Sequence, residues 1–349
     1  MSTSQAKTVD AFVQLQNRNA LSQAIRAAVN LGILKSLAAG QKTVQQLADE
    51  LALQPAPLQR LLNVLEQTGL IERYDNDFAL STIARLIPEP YLDFGDRYWE
   101  HLSEHVRTGS ALPTSSPQSL TTEALPATSR IQAELPRDQE YLNQKATEDW
   151  MLTPVAIDAA QVLDIGKSRR GLRILEIGAG SAVFSATMAH RDPDSVINLL
   201  DTAAGLERSR KTIASVGLEQ QTEWITTEDI FDLPTVAELA GQTFDLVVLA
   251  GIIHRLNSVE CSNLFNQLQQ FVKSNCELVI IDVFRGQKQG DAQLAILELE
   301  LGLRTQAGQL HEPGELKTML QAAGFGNLQF AHLPATPHYW GLLVGSRLR

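Results

Sequence analysis

One stretch constrains this chain more than any other: Leu175-Glu-Ile-Gly-Ala-Gly-Ser-Ala182. Leu172, Ile174, Leu175 and Ile177 make a short apolar run, Gly178 and Gly180 break it, and Val183 to Ala189 reads as helix. Apolar character returns at Val196-Ile-Asn-Leu-Leu200 and stops at Asp201, about twenty residues past the turn. A strand, a glycine turn, a helix and a second strand closed by a carboxylate suit a nucleotide-like ligand. The glycines let backbone approach it, and the carboxylate can take two ribose hydroxyls.

The same alternation continues to the end of the chain. Strands are expected at 172–177, 196–200, 221–226, 244–249, 276–283, 325–332 and 338–346. Helices are expected between them, at 181–190, 202–216, 233–241, 257–274, 291–303 and 312–323. This predicts an α/β domain with a mostly parallel sheet covered on both faces. Only Leu333 to Pro337 separate the last two strands, so the seventh should enter antiparallel, which sets this sheet apart from that of a dinucleotide-binding dehydrogenase.

Acidic residues follow successive strands: Glu176, Asp201, and Glu228-Asp-Ile-Phe231, with Gly251-Ile-Ile-His254 after the fourth strand. A phosphate site would want cations or an acid-free helix start. Glu176, Asp201 and Asp229 instead suit hydroxyls, an amine and a cationic centre, which points to S-adenosylmethionine. Asp229 would take the adenine amino group, and Ile230 or Phe231 the ring.

A chain of 349 residues is long for one core, and two domains are expected. We divide it into a domain at 1–88, a helical linker or substrate-covering region at 89–168 with a mobile loop at 109–136, and the ligand-binding domain at 169–349. The first part reads as a helix over 8–38, a Thr43-x-x-Gln46 capping box opening a helix to Leu51, a helix from Pro57 to Gly69, and a hairpin around Asp75-Asn-Asp77. That order is a winged helix. Such domains often read DNA, but Gln54 to Glu72 carries Arg60 as its one cation, and the net charge is −11. Nucleic-acid affinity comes mostly from Lys and Arg, so a dimerising role is favoured over a DNA-binding regulator.

Residues 91–107 and 138–165 read as helices, with Trp99, Trp150 and Met151 as candidates to line a substrate pocket. His101-x-x-Glu104-His105 has the spacing of one zinc-protease class, but no third ligand is evident and no metal is assigned. Residues 109–136 are rich in Ser, Thr, Pro and Ala, too poor in apolar side chains to bury themselves. Two cysteines, no long apolar run and no leader-like N-terminus imply a cytoplasmic protein outside the membrane.

Residues 8–349 resemble the two-domain small-molecule O-methyltransferases, the group of the plant caffeate and isoflavone enzymes and the bacterial hydroxyneurosporene type. The resemblance rests on Ala28-Val-Asn-Leu-Gly-Ile-Leu34, Thr43 to Leu51, Leu58 to Leu65 and Phe78-Ala-Leu-Ser81 in the first domain. In the second it rests on Leu175 to Gly180, Leu200-Asp201, Glu228 to Phe231, Ile253-His254 and Ala322-Ala-Gly-Phe325. It implies a homodimer of class I methyltransferase fold acting on a phenolic or enolic hydroxyl of a secondary metabolite. Glu176, Gly178, Gly180, Asp201, Asp229, Ile230 and Phe231 would frame the cofactor, His254 would be the general base, and Asp282 would orient it. The chain departs from the family pattern in several places. Ala182 replaces the third glycine, and His254-Arg-Leu256 replaces His-Asp-Trp. A second supporting glutamate falls on Leu310, with Glu312 as a stand-in. Relatives on this fold hydroxylate, decarboxylate or catalyse pericyclic rearrangements with the cofactor bound, and that alternative stays open from sequence.

Overall fold

The computed structural model describes residues 3–85, 96–111, 149–233, 236, 239, 241–272, 274, 276–286, 292–335 and 340–348. The chain divides into two compact units, Met1–His101 and Leu102–Arg349.

The N-terminal unit comprises α1 (Thr3–Asn30), α2 (Ile33–Ala38), β1 (Lys42–Thr43), α3 (Val44–Leu51), α4 (Pro55–Gln67), β2 (Ile71–Tyr74), β3 (Asp77–Leu80), α5 (Thr82–Arg85) and α6 (Asp96–Glu100). The single helix expected over 8–38 is two. Gly32 takes φ +75, a left-handed conformation that a glycine adopts cheaply and that stops α1 before α2 begins. The capping box forms: the Thr43 hydroxyl accepts from Gln46 N at 3.1 Å, and the Gln46 side chain accepts from Thr43 N at 2.8 Å. The strands pair antiparallel in the order β1-β3-β2 over a core of Ile33, Leu47, Leu62, Leu65 and Phe78.

The C-terminal unit comprises α7 (Leu102–Thr108), a 3₁₀ turn at Asp149–Leu152, α8 (Thr153–Val162), β4 (Arg173–Ile177), α9 (Val183–Arg191), β5 (Val196–Asp201), α10 (Ala203–Val216), β6 (Thr222–Thr226), β7 (Leu246–Ala250), α11 (Ser258–Phe271), β8 (Glu277–Val283), α12 (Ala292–Arg304), α13 (Pro313–Ala322), β9 (Phe325–His332) and β10 (Trp340–Arg347). The sheet order is β6-β5-β4-β7-β8-β10-β9. β4 to β8 pair in parallel, and β10 runs antiparallel between β8 and β9. The last strand is antiparallel, as expected, and lies inside the sheet between β8 and β9.

Strand residues alternate between two packed faces, as a sheet covered on both sides requires. Ile174, Ile197, Leu199, Val248 and Ile281 meet Phe184, Met188 and Leu206 on one face. Leu175, Ile177, Leu249 and Ile280 meet Leu264, Phe265, Leu316 and Leu320 on the other. Each such side chain, fully buried, contributes about 1.5–3 kcal/mol of transfer free energy.

The helix expected over 91–107 is interrupted. His101 is a turn residue between α6 and α7, so His101 and His105 do not share a helix face. The loop at 109–136 lies outside the described residues beyond 111, as do residues 138–148 of the next expected helix and most of 233–241. Among the described residues no helix is long and apolar enough to cross a membrane.

Candidate active site

Parallel strands β4 to β8 end on one edge of the sheet, and their order reverses at β4. The chain steps outward through β5 and β6, then returns to lay β7 on the other side of β4. Loops leaving in opposite directions open a crevice there, the ligand position of open α/β sheets. The turn after β4 meets the loops after β6 and β7. A Cβ on Gly178 would stand 2.9 Å from Ile230 Cδ1 and 2.9 Å from Ile252 Cγ2, and its φ is +70. Only glycine fits both the backbone and the space.

Asp201 is joined to that turn. Its Oδ2 accepts from Gly180 N at 2.8 Å, and its Oδ1 accepts from Thr202 N at 2.6 Å and the Thr202 hydroxyl at 3.3 Å. Gly205, in the first turn of α10, leaves room for the carboxylate, since a Cβ there would fall 2.1 Å from Asp201 Cγ. Ser209 donates to the Gly180 carbonyl at 2.8 Å. The turn, the carboxylate and α10 thus form one braced unit, and Oδ2 keeps a lone pair for a further donor such as a hydroxyl.

Glu176 is buried on the α9 side and accepts from Ser185 N at 3.1 Å. Burial pushes its carboxyl up to about 7, and the charges of Asp201 and Asp149 act in the same direction. Ala182 has φ +60, so the residue in place of the third glycine still holds the left-handed backbone.

After β6, Asp229 Oδ1 accepts from Phe231 N at 2.8 Å, a local turn that leaves Asp229 exposed, Ile230 buried and Phe231 half-buried. The Arg255 guanidinium carbon stands 5.2 Å from the Phe231 ring centroid, within cation–π range.

His254 lies in a short 3₁₀ turn, Ile253–Arg255, between β7 and α11. Its Nδ1 is 2.7 Å from Asp282 Oδ1. Asp282 sits near the end of β8, almost wholly buried, and also accepts from Ile253 N at 2.9 Å, His254 N at 3.2 Å and Val283 N at 2.7 Å. Both Asp282 oxygens accept backbone N–H groups, so in the pair the ring is the donor through Nδ1.

The other expected site residues are dispersed. Met151 lies in the 3₁₀ turn that packs on α8 and α9; Trp150 is in the same turn. Trp99 belongs to α6 in the N-terminal unit. Glu312 is exposed at the start of α13, and a Cβ on Gly286 would lie 3.7 Å from its side chain. Leu310 is buried in the core. Sequence reasoning singled out Gly251 to His254 and the neighbourhood of Leu310 and Glu312, but gave no role to Gly205 or to His311, which packs behind His254. Gly205 had a weak local signal, a glycine in the first turn of a helix. His311 had none, because its partner is distant in sequence.

The residues fit S-adenosylmethionine: the polar side chains at the glycine turn and after β6, Glu176, Asp201 and Asp229, are carboxylates rather than cations.

An O-methyltransferase dimerisation domain matches residues 13–87, and an O-methyltransferase domain matches residues 99–326. The mitomycin biosynthesis 6-O-methyltransferase of Streptomyces lavendulae is 24% identical over 277 residues, covering 75% of this chain and 73% of that protein. Acetylserotonin O-methyltransferase of Rattus norvegicus is 24% identical over 342 residues, covering 91% and 73%. Among solved structures, mitomycin 7-O-methyltransferase superposes with TM-score 0.70 at 19% identity over all of both chains. Human N-acetylserotonin methyltransferase in complex with S-adenosylmethionine superposes with TM-score 0.69 at 18% identity, again over all of both chains. With its catalytic-domain match spanning most of its length, the chain belongs to the O-methyltransferase family.

Proposed function

We propose that the protein is a homodimeric, S-adenosylmethionine-dependent O-methyltransferase that methylates a phenolic or enolic hydroxyl of a small secondary metabolite, with His254 as general base. The observation that carries this reading is the His254–Asp282 pair, with Nδ1 2.7 Å from Oδ1. When bound, the cofactor supplies an electrophilic methyl group. Glu176, Asp201 and Asp229 meet its polar groups, and Ile230 and Phe231 its flat ring. His254 Nε2 takes the proton of the acceptor hydroxyl as that oxygen becomes nucleophilic. Asp282 holds the ring in the productive tautomer and stabilises the imidazolium that forms. Holding the acceptor oxygen in line with the methyl group supplies much of the remaining acceleration.

The N-terminal unit serves as a winged-helix dimerisation domain in this reading. The helix that would read DNA, α4, carries Arg60 against Glu66, and Glu66 is already engaged by Arg73 at 2.9 Å.

The test is incubation with S-adenosylmethionine and a panel of phenols and enols, followed by mass spectrometry. Products heavier by one methyl group are expected from the wild type. His254→Ala should bind S-adenosylhomocysteine normally and make little product. Full activity in that variant removes His254 from the mechanism, and conversion of acceptors without methyl gain favours the non-methylating alternative.

A further inference from the structure

His254 stands in a three-residue turn, which is little structure with which to aim a base. What braces that turn from behind is the segment Thr305–His311. The Gln309 N–H donates to the His254 carbonyl at 2.9 Å, and His311 Nε2 is 2.8 Å from the Leu256 carbonyl. The first and third residues from His254 to Leu256 are therefore both held by one strand of chain. The same segment also holds the other half of the pair. The His311 carbonyl accepts from Arg285 N at 2.9 Å, and residue 311 forms a bridge with Phe284, two positions beyond Asp282.

Side chains close the brace. Gln309 Nε2 donates to the Ser258 hydroxyl at 3.0 Å, and Ser258 donates to Glu315 Oε1 at 2.7 Å. Glu315 Oε2 is 3.8 Å from His311 Nδ1. His311 Nε2 also lies 3.5 Å from Cys261 Sγ on α11. Burial and the Asp282 charge keep the Cys261 thiol protonated, so it is a weak partner and the Leu256 carbonyl is the principal one. A carbonyl can only accept, so Nε2 of His311 carries a proton. The His311 side chain is 2% exposed.

We propose that His311 is a positioning residue for the His254–Asp282 pair, supplying from behind the second support that the family resemblance assigns to a glutamate and that Leu310 cannot give. This rests on the reading of His254 as general base. The residue acts through the backbone: its ring fixes the Leu256 carbonyl, its own carbonyl fixes the strand end beyond Asp282, and the distance between the two halves of the pair follows.

The experiment compares His311→Leu, which removes the donor, with His311→Gln, whose amide N–H can reach the same carbonyl. Three readouts are taken on the full chain: S-adenosylhomocysteine affinity by calorimetry, the downfield His254 Nδ1 proton in selectively ¹⁵N-histidine-labelled protein, and kcat and KM with a phenol turned over in the panel above. The Leu variant should keep cofactor-product affinity and acceptor KM within about twofold, lose about tenfold in kcat, and broaden the His254 resonance. The Gln variant should recover most of both. Wild-type kcat and an unchanged resonance in the Leu variant overturn the proposal. So does equal damage in both variants accompanied by lost affinity, which marks His311 as a general core residue. If His254→Ala proves fully active, the base assignment fails, and the resonance comparison alone still decides whether His311 positions the pair.

Discussion

Asp282 holds His254 twice, through the ring at 2.7 Å and through the backbone N–H at 3.2 Å, so one buried carboxylate sets both where the base stands and which nitrogen carries its proton. Substituting Asp282→Asn keeps an oxygen acceptor but puts an N–H₂ group among donors. The ring is then free to take the other tautomer, with Nε2 protonated and unable to accept. We expect kcat to fall by roughly 10²- to 10³-fold with S-adenosylhomocysteine affinity within a few-fold of wild type. The unfolding free energy should also drop by about 1–3 kcal/mol, since buried N–H groups of Ile253, His254 or Val283 lose an acceptor. Steady-state kinetics and urea unfolding check the two parts separately, and wild-type kcat in a correctly folded Asn variant refutes the tautomer argument.

Asp201 has two tasks that can be separated by choice of substitution. Asp201→Ala strands the N–H groups of Gly180 and Thr202 and should destabilise the chain as well as weaken ligand binding. Asp201→Asn keeps a carbonyl oxygen for one of them but surrenders the charge that strengthens hydrogen bonds from a ribose diol. Calorimetry with S-adenosylhomocysteine should show about a tenfold or greater loss in Asn and a larger loss in Ala. Unchanged affinity in both variants would remove Asp201 from the ribose site.

The N-terminal helix presents Val9, Phe12, Val13 and Leu15 to solvent, with Phe12 at 59% and Leu15 at 63% exposure. Large apolar side chains set along one helix at this density are what a second copy would cover. In a two-fold dimer every substitution acts twice. Replacing Phe12 and Leu15 together by Asp should raise the dimer dissociation constant by more than about a hundredfold, read by light scattering across a dilution series. A dimer of unchanged strength would move the interface off this face.

The parts of this molecule that were legible in its sequence are those whose cause is local. The Thr43–Gln46 capping box, the strand–glycine–helix unit at Ile177 to Val183 and the alternation of buried strands each need only a few consecutive residues, and each formed as expected. The break at Gly32 was misplaced because a glycine after a long apolar pattern looks the same whether it ends a helix or joins two. The insertion of β10 between β8 and β9 left no sequence trace, since strand order depends on which edges are open when the hairpin docks. At the site, the pattern of carboxylates after strands was visible, but the backbone N–H groups they hold were not. Gly205 is small because Asp201 lies over it, and Leu256 is braced by His311, contacts that close only when segments distant in sequence meet.

Glu176 gives the site a pH dependence whose sign follows from burial. Its folded carboxyl is pushed up to about 7, while an exposed Glu titrates near 4.5. Below the lower value both states are protonated and the residue costs nothing. As pH rises the unfolded chain ionises first, so stability falls between about 4.5 and 7 and the loss is complete above that, of order 3 kcal/mol at most. Glu176→Gln, which cannot ionise and can still accept from Ser185 N, should therefore flatten the stability profile and be more stable than wild type at pH 8 while differing little at pH 5. The cofactor's cationic groups favour the ionised carboxylate, so binding near pH 6.5 should release a proton from the wild type and not from the Gln variant. Calorimetry of S-adenosylmethionine in two buffers of different ionisation enthalpy measures that release directly, and equal apparent enthalpies for the wild type in both buffers would show that Glu176 is already ionised in the free protein.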